Sequence, residues 1–170
     1  MTVLSRKHLA KLLKADPPLI EDYLDLSQQL QPNGIDLTLR QVFALQSKGT
    51  IAADNGRREV SRLSPLSFGS DGFIELPAGI YSITFNEAVH LPKNVMALGR
   101  PRSSLLRCGV TIGTAVWDAG YSGRSESLLV VYHPQGFRLQ KDARVMQLVF
   151  FELSGETEGY NGCYQGENLG

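Results

Sequence analysis

The chain has 170 residues, with 17 Lys plus Arg balanced by 17 Asp plus Glu, a pI near 6.8 and 42% apolar residues. That length makes one domain, 1–170, able to bury its own core without disulfides or a structural metal. The charge balance excludes a sequence-independent grip on nucleic acid polymer, which needs a strong basic excess. No apolar run approaches ~18 residues and no basic-then-apolar leader follows Met1, so the expectation is a soluble, cytoplasmic protein with no membrane contact. Cys108 and Cys163 stand without metal-ligand spacing and read as reduced filler thiols.

A short N-terminal helix is expected within 1–16, capped by Ser5, with Leu9, Leu12 and Leu13 on one stripe and Leu4 stapled to Leu9. Asp16-Pro17-Pro18 ends it, and His8, lacking a second ligand at helical spacing, reads as a surface residue. From Leu19 the pattern changes to short strands at 35–39, 42–45, 73–76, 80–85 and 95–98, cut by turn residues at intervals of about ten, which favours a sandwich, jelly roll or barrel over a parallel sheet. Residues 48–70 read as a loop or exposed hairpin whose Arg57 and Arg58 form a solvated face. Asp36, an acid amid strand-forming residues, must find donors, either as a structural hub or as support for a site.

The stretch 99–124 is the richest in chemistry. Arg102 offers a planar fork suited to phosphate oxygens, and Ser103 and Ser104 add hydroxyls and main-chain N–H groups. An apolar ribbon follows at 109–117, then Asp118, the one acid of the stretch. Further on, 127–132 and 145–153 are apolar on both faces, which predicts burial against another subunit, and Gln147 is a lone amide inside the second run. The glycine-rich tail, 155–170, reads as a flexible lid that orders over a ligand.

In chain order these segments resemble the trimeric deoxyuridine triphosphatase and dCTP deaminase superfamily. The carriers are Gln31-Pro32-Asn33-Gly34-Ile35-Asp36-Leu37, Pro101-Arg102-Ser103-Ser104-Leu105, Trp117-Asp118-Ala119-Gly120-Tyr121-Ser122-Gly123 and Arg144-Val145-Met146-Gln147-Leu148. The tail, 160–166, and the opening helix look like the deaminase and archaeal triphosphatase branch. The resemblance implies a mainly β, distorted jelly roll of dUTPase-like β-clip type, a homotrimer whose sites draw on more than one subunit, and hydrolysis of dUTP to dUMP and pyrophosphate. By the same resemblance Asp118 is the catalytic base, and magnesium is held mainly through the triphosphate, with no dedicated protein ligands. Arg102, Ser103, Ser104, Arg107, Arg144 and Gln147 would take the phosphates, while Gly109, Val110, Thr114 and Val116 belong to the ribbon that reads the uracil edge. Tyr121 would lie under the sugar, and Tyr160, Tyr164 and Gln165 would close the site. Where related tails carry a lysine before Tyr-Gln, this chain has Cys163, so one phosphate contact is missing.

Three alternatives stand beside that reading: a dCTP deaminase or bifunctional enzyme, a non-catalytic nucleotide binder, and an unrelated jelly roll. Zinc deaminases are excluded by the absence of His-x-Glu and Pro-Cys-x-x-Cys elements. The family's metal-free deaminases use a glutamate on the strand after the third motif. Here counting forward from Gly123 places Leu128 at that position and counting back from the strand's end places Val130. Glu126 is two residues away on the same face, so a register shift would restore an acid.

Overall fold

The computed structural model describes residues 2–169, so Met1 and Gly170, the ends of the expected domain, lie outside the described residues. Its N-terminal part comprises β1 (Thr2–Val3), α1 (Arg6–Leu12), β2 (Ile20–Glu21), α2 (Leu26–Gln29), β3 (Leu30–Gln31) and β4 (Gly34–Leu45). Leu4 and Leu9 are both buried at the start of α1, as a hydrophobic staple requires. Ser5 holds the N-cap position with extended backbone, but its hydroxyl pairs with the His8 ring at 3.0 Å instead of capping an N–H. The helix stops at Leu12, ahead of the prolines that were expected to end it.

Strand β4 covers both of the strands expected at 35–39 and 42–45. Its pairing shifts register between Leu39 and Gln41, a bulge that breaks the alternation and makes one strand read as two. The middle of the chain supplies β5 (Leu63–Pro65), β6 (Phe73–Leu76), β7 (Gly79–Phe85), β8 (Ala88–His90), β9 (Val95–Pro101), α3 (Ser103–Arg107), β10 (Val110–Gly113) and β11 (Val116–Trp117). Then come β12 (Ser122–Gly123), β13 (Glu126–Val131), β14 (Phe137–Gln140) and β15 (Arg144–Glu152).

The main sheet is antiparallel with strand order β10-β13-β7-β4-β15-β9-β11; β1 adds to β15, and β3 and β5 add to β4. Its two end strands, β10 and β11, are neighbours in sequence, separated only by Thr114 and Ala115. A sheet whose opposite edges are joined by two residues has to curl until those edges meet, giving the distorted jelly roll that the resemblance implies, one of the three architectures the turn spacing favours. The seam where they meet stays open. Two small sheets, β12-β8-β2 and β14-β6, pack beside it.

Inside the curl lie Ile35, Leu37, Leu39, Ile83, Phe85, Leu129, Met146, Leu148 and Phe150, all fully buried. Each buried aliphatic or aromatic side chain contributes about 1.5–3 kcal/mol. Glu87, buried in the turn between β7 and β8, accepts from Thr38 N (2.8 Å), Thr38 Oγ1 (2.6 Å) and Gln29 Nε2 (2.6 Å). Burial pushes its carboxyl above the usual range while those donors pull against the rise. On β13 Leu128 is exposed, as is Tyr132 beyond its end, whereas the apolar residues of β15 are buried or half-buried within the chain. Among the described residues no helix is long and apolar enough to cross a membrane.

Candidate active site

At the open seam lies a cleft of about 790 Å³, large enough for a nucleotide. One wall is the end of the ribbon, Gly113, Ala115, Val116, Trp117 and Asp118; the facing wall is Ser82 of β7 with Ser125, Glu126, Ser127 and Leu128. Leu45, Leu63, Val60 and Ser61 close one end, and Tyr160, Tyr164 and Glu167 of the tail the other. The walls have this composition because β10 pairs with β13 only from Leu128 onward, which leaves Glu126 and Ser127 unpaired on the seam side.

Asp118 follows β11 directly and is exposed on the cleft, where its carboxylate has no hydrogen-bond or ion-pair partner among the described residues. A carboxylate with its lone pairs unspent can take a proton from water. Two residues on, Gly120 adopts φ +83°, and a β-carbon there would lie 2.7 Å from Gly159 Cα, so only glycine lets the turn and the tail approach this closely. Tyr121 is buried, edge-on to Tyr160 at 5.8 Å, and its hydroxyl donates to Glu167 Oε1 at 2.8 Å. Burial, reinforced by the Glu167 carboxylate, drives the Tyr121 phenol upward and keeps it a donor. Glu167 itself is raised by burial and by the nearby Glu126 charge, against the lowering effect of the Tyr121 bond.

The tail is tied down along its length. Tyr160 N donates to Ala119 O, Gly166 N to Ser122 O and Arg124 N to Glu167 O. Gln165 accepts from Ser122 N at 3.0 Å and donates to Gly120 O at 3.1 Å, while Asn168 brackets Arg124, donating to its carbonyl and accepting from its guanidinium. Buried Arg124 also pairs with Asp22 and donates to Asn86 O.

The phosphate candidates form a second group. Arg102 is the N-cap of α3, and Ser103 and Ser104 are exposed on its first turn with Arg107 at its end. Beneath them is Asp36, 3% exposed, which takes Arg102 Nε at 3.3 Å and Arg144 at 3.4 Å. Burial pushes the Asp36 carboxyl up, and the two guanidiniums pull it back. Arg102 also donates to Arg144 O and Arg144 to Gln28 O. Asp36 therefore serves at once as structural hub and as support for the two arginines. Gln147 lies next to it in β15, opposite Asp36 in β4.

The two groups are separate within one chain. None of Arg102, Ser103, Ser104, Arg107, Arg144 and Gln147 lines the cleft that holds Asp118, whereas Val116, Tyr121, Tyr160 and Tyr164 do. Gln165 stands behind the cleft as a tail anchor. In the ribbon, Val110 is buried and points inward, Gly109 takes φ +70° as its backbone accepts from Tyr132 N, and the Thr114 hydroxyl bonds Gly99 O at 3.4 Å. Sequence reasoning did not single out Glu167, an acid directly after Tyr164-Gln165-Gly166 in the tail. It also missed Trp117, whose Nε1 donates to Ser125 Oγ at 3.1 Å in the cleft wall. Leu128 and Glu126 both line the cleft and Val130 does not, and Glu126 accepts from Ser82 Oγ at 3.4 Å. Among the described residues no cluster of three His, Cys, Asp or Glu side chains forms a metal cage.

A curled antiparallel sheet with an open seam, an unpaired acid on that seam and a buried tyrosine three residues further on defines a mainly β, distorted jelly roll that carries a cleft of nucleotide size. A profile described as dCTP deaminase-like matches residues 3–153, and the chain belongs to that family. It is 54% identical over 169 residues to a protein from Methanosarcina mazei named probable deoxyuridine 5'-triphosphate nucleotidohydrolase, covering 99% of each chain. A protein of the same name from Archaeoglobus fulgidus is 48% identical over 169 residues, again covering 99% of each. The 2'-deoxycytidine 5'-triphosphate deaminase structure from Agrobacterium tumefaciens superposes with a TM-score of 0.67 at 21% identity, over 87% of this chain and 47% of that one. That likeness establishes the fold.

Proposed function

We propose that the protein hydrolyses dUTP to dUMP and pyrophosphate. The observation that carries this is the full-length identity of about half to archaeal proteins named for that reaction. The cleft is consistent with it, since it presents the unpaired Asp118 and, at the deaminase glutamate position counted forward, an aliphatic Leu128. Asp118 orients a water and takes its proton as the water oxygen bonds to the α-phosphorus; the bond from that phosphorus to the β-bridging oxygen breaks and pyrophosphate leaves. The exposed main chain of the ribbon reads the uracil edge, and Tyr121 packs beneath the deoxyribose.

The protein works as a homotrimer in this proposal. Arg102, Ser103, Ser104, Arg107, Arg144 and Gln147 of one chain supply the phosphate donors for the Asp118 cleft of another, which accounts for their separation in a single chain. The exposed Leu128 and the half-buried Val130 of β13 give that assembly an apolar face. Two of the cleft's three acids, Asp118 and Glu126, are hard oxygen donors that suit magnesium, held chiefly by the triphosphate and water. When bound, the ion neutralises phosphate charge. The cytoplasm is the proposed location.

Asp118→Asn is expected to keep nucleotide binding and lower dUTP hydrolysis by about 100-fold. Near-normal turnover would remove Asp118 from the mechanism. The second reading, deamination of dCTP, is favoured by Glu126 on the cleft wall. Incubating dUTP and dCTP separately and identifying products separates the two: ammonia from dCTP that disappears in Glu126→Gln assigns the deaminase chemistry to that acid.

A further inference from the structure

The loop between β4 and β5, which the charge pattern presents as a solvated face, crosses to the tail. It is a narrow hairpin closed by a pair of backbone bonds, Thr50 N to Glu59 O at 2.8 Å and Glu59 N to Thr50 O at 2.9 Å. Directly after it, Val60 and Ser61 line the cleft. Arg58 extends from this hairpin to the tail: its guanidinium donates to Cys163 Sγ at 2.9 Å and lies 5.6 Å from the centre of the Tyr164 ring. Tyr164 itself lines the cleft. Among the described residues no other hydrogen bond joins the loop to the tail.

The remaining tail anchors explain why this contact matters. Tyr160 is held to Ala119, and Gln165 and Gly166 to Gly120 and Ser122, all on the motif side of the cleft. Between them residues 161–164 form an arch of which Tyr164 lines the cleft, supported by the Gln165 N to Gly162 O and Glu167 N to Tyr164 O bonds of the tail itself and by Arg58. The planar guanidinium is suited to that place because it can stack on an aromatic face and donate sideways at the same time. Without it the arch has no fixed point on the loop side.

We propose that Arg58 is a positioning residue that clasps the loop to the tail, setting Tyr164 over bound nucleotide and making the loop one half of the cleft's closure. The role in substrate binding rests on the dUTP reading above; the clasp itself does not. Arg58 is exposed, so its replacement leaves the core untouched. Arg58→Ala is expected to raise KM for dUTP by about 3–10-fold with a much smaller change in kcat, the scale of one exposed cation–π contact and its attendant bond. Arg58→Lys, which keeps a charge over the ring, is expected to recover part of the loss. In the same variants without nucleotide, amide hydrogen exchange of 160–166 is expected to quicken in Arg58→Ala. Unchanged exchange overturns the clasp, and quickened exchange with an unchanged KM overturns its role in closing the site. Wild-type protein that fails to hydrolyse dUTP refutes the proposed function instead, while the exchange measurement still decides the clasp.

Discussion

Replacing Tyr121 by phenylalanine removes one oxygen from a buried ring and nothing else. The lost group donates to Glu167 Oε1 at 2.8 Å, while the ring's edge-on contact with Tyr160 is kept. A hydrogen bond to a carboxylate contributes about 1.5–3 kcal/mol, and because Glu167 is only partly buried, water recovers some of it. A net loss of about 1–2 kcal/mol converts to a 5–30-fold shift of the tail from docked to undocked at about 1.4 kcal/mol per tenfold. The amides that report it are Gly166, bonded to Ser122 O at 2.7 Å, and Arg124, bonded to Glu167 O at 2.9 Å. Both are expected to exchange about 5–30-fold faster in Tyr121→Phe, while amides of β15 keep wild-type protection. Unchanged exchange at Gly166 and Arg124 would refute the reasoning. So would acceleration spread equally through β15, which would mean that loss of the hydroxyl had loosened the core.

Two further outcomes follow from one buried and one half-buried acid. Glu87→Ala leaves the Thr38 N–H, the Thr38 hydroxyl and the Gln29 amide without their acceptor, which is expected to cost about 3–5 kcal/mol and lower Tm by about 10 °C; a Tm within two or three degrees of wild type contradicts the network. Glu167 is raised in the folded protein, so its contribution to tail docking is full below its unfolded value and declines as pH rises through the folded one. Tail protection, corrected for intrinsic exchange, is therefore expected to rise on acidification from neutral pH, and Glu167→Gln, which stays neutral, is expected to abolish that dependence.

Much of the strand inventory could be read from alternation and turn residues, and the motif stretch 99–124 did contain the cleft's acid and its tyrosine. What could not be read was non-local. Residues 110–117 look like one ribbon, yet β10 pairs with β13 and β11 with β9, so the ribbon straddles the two edges of the sheet. A sequence gives no sign of that, because register partners far apart in the chain decide it. The same holds for Asp36, whose burial was legible but whose two arginines come from α3's cap and β15. Arg58 is exposed, as the composition of its loop suggests, but its contact with Cys163 and Tyr164 is non-local and leaves no mark on that composition.

The position of β15 in the sheet bears on how the chain is made. It lies between β4 and β9 and also carries β1, so among the described residues it is the one strand whose pairing joins β10-β13-β7-β4 to β9-β11. During synthesis from the N-terminus, every other strand of the sheet emerges before it. Until residue 152 is available the nascent chain holds two strand groups with no hydrogen-bonded ladder between them, each with an open edge where β15 belongs, and such edges recruit other chains. Completion of the fold therefore waits on its last strand, and a product truncated before Arg144 is expected to aggregate instead of leaving a smaller, stable domain.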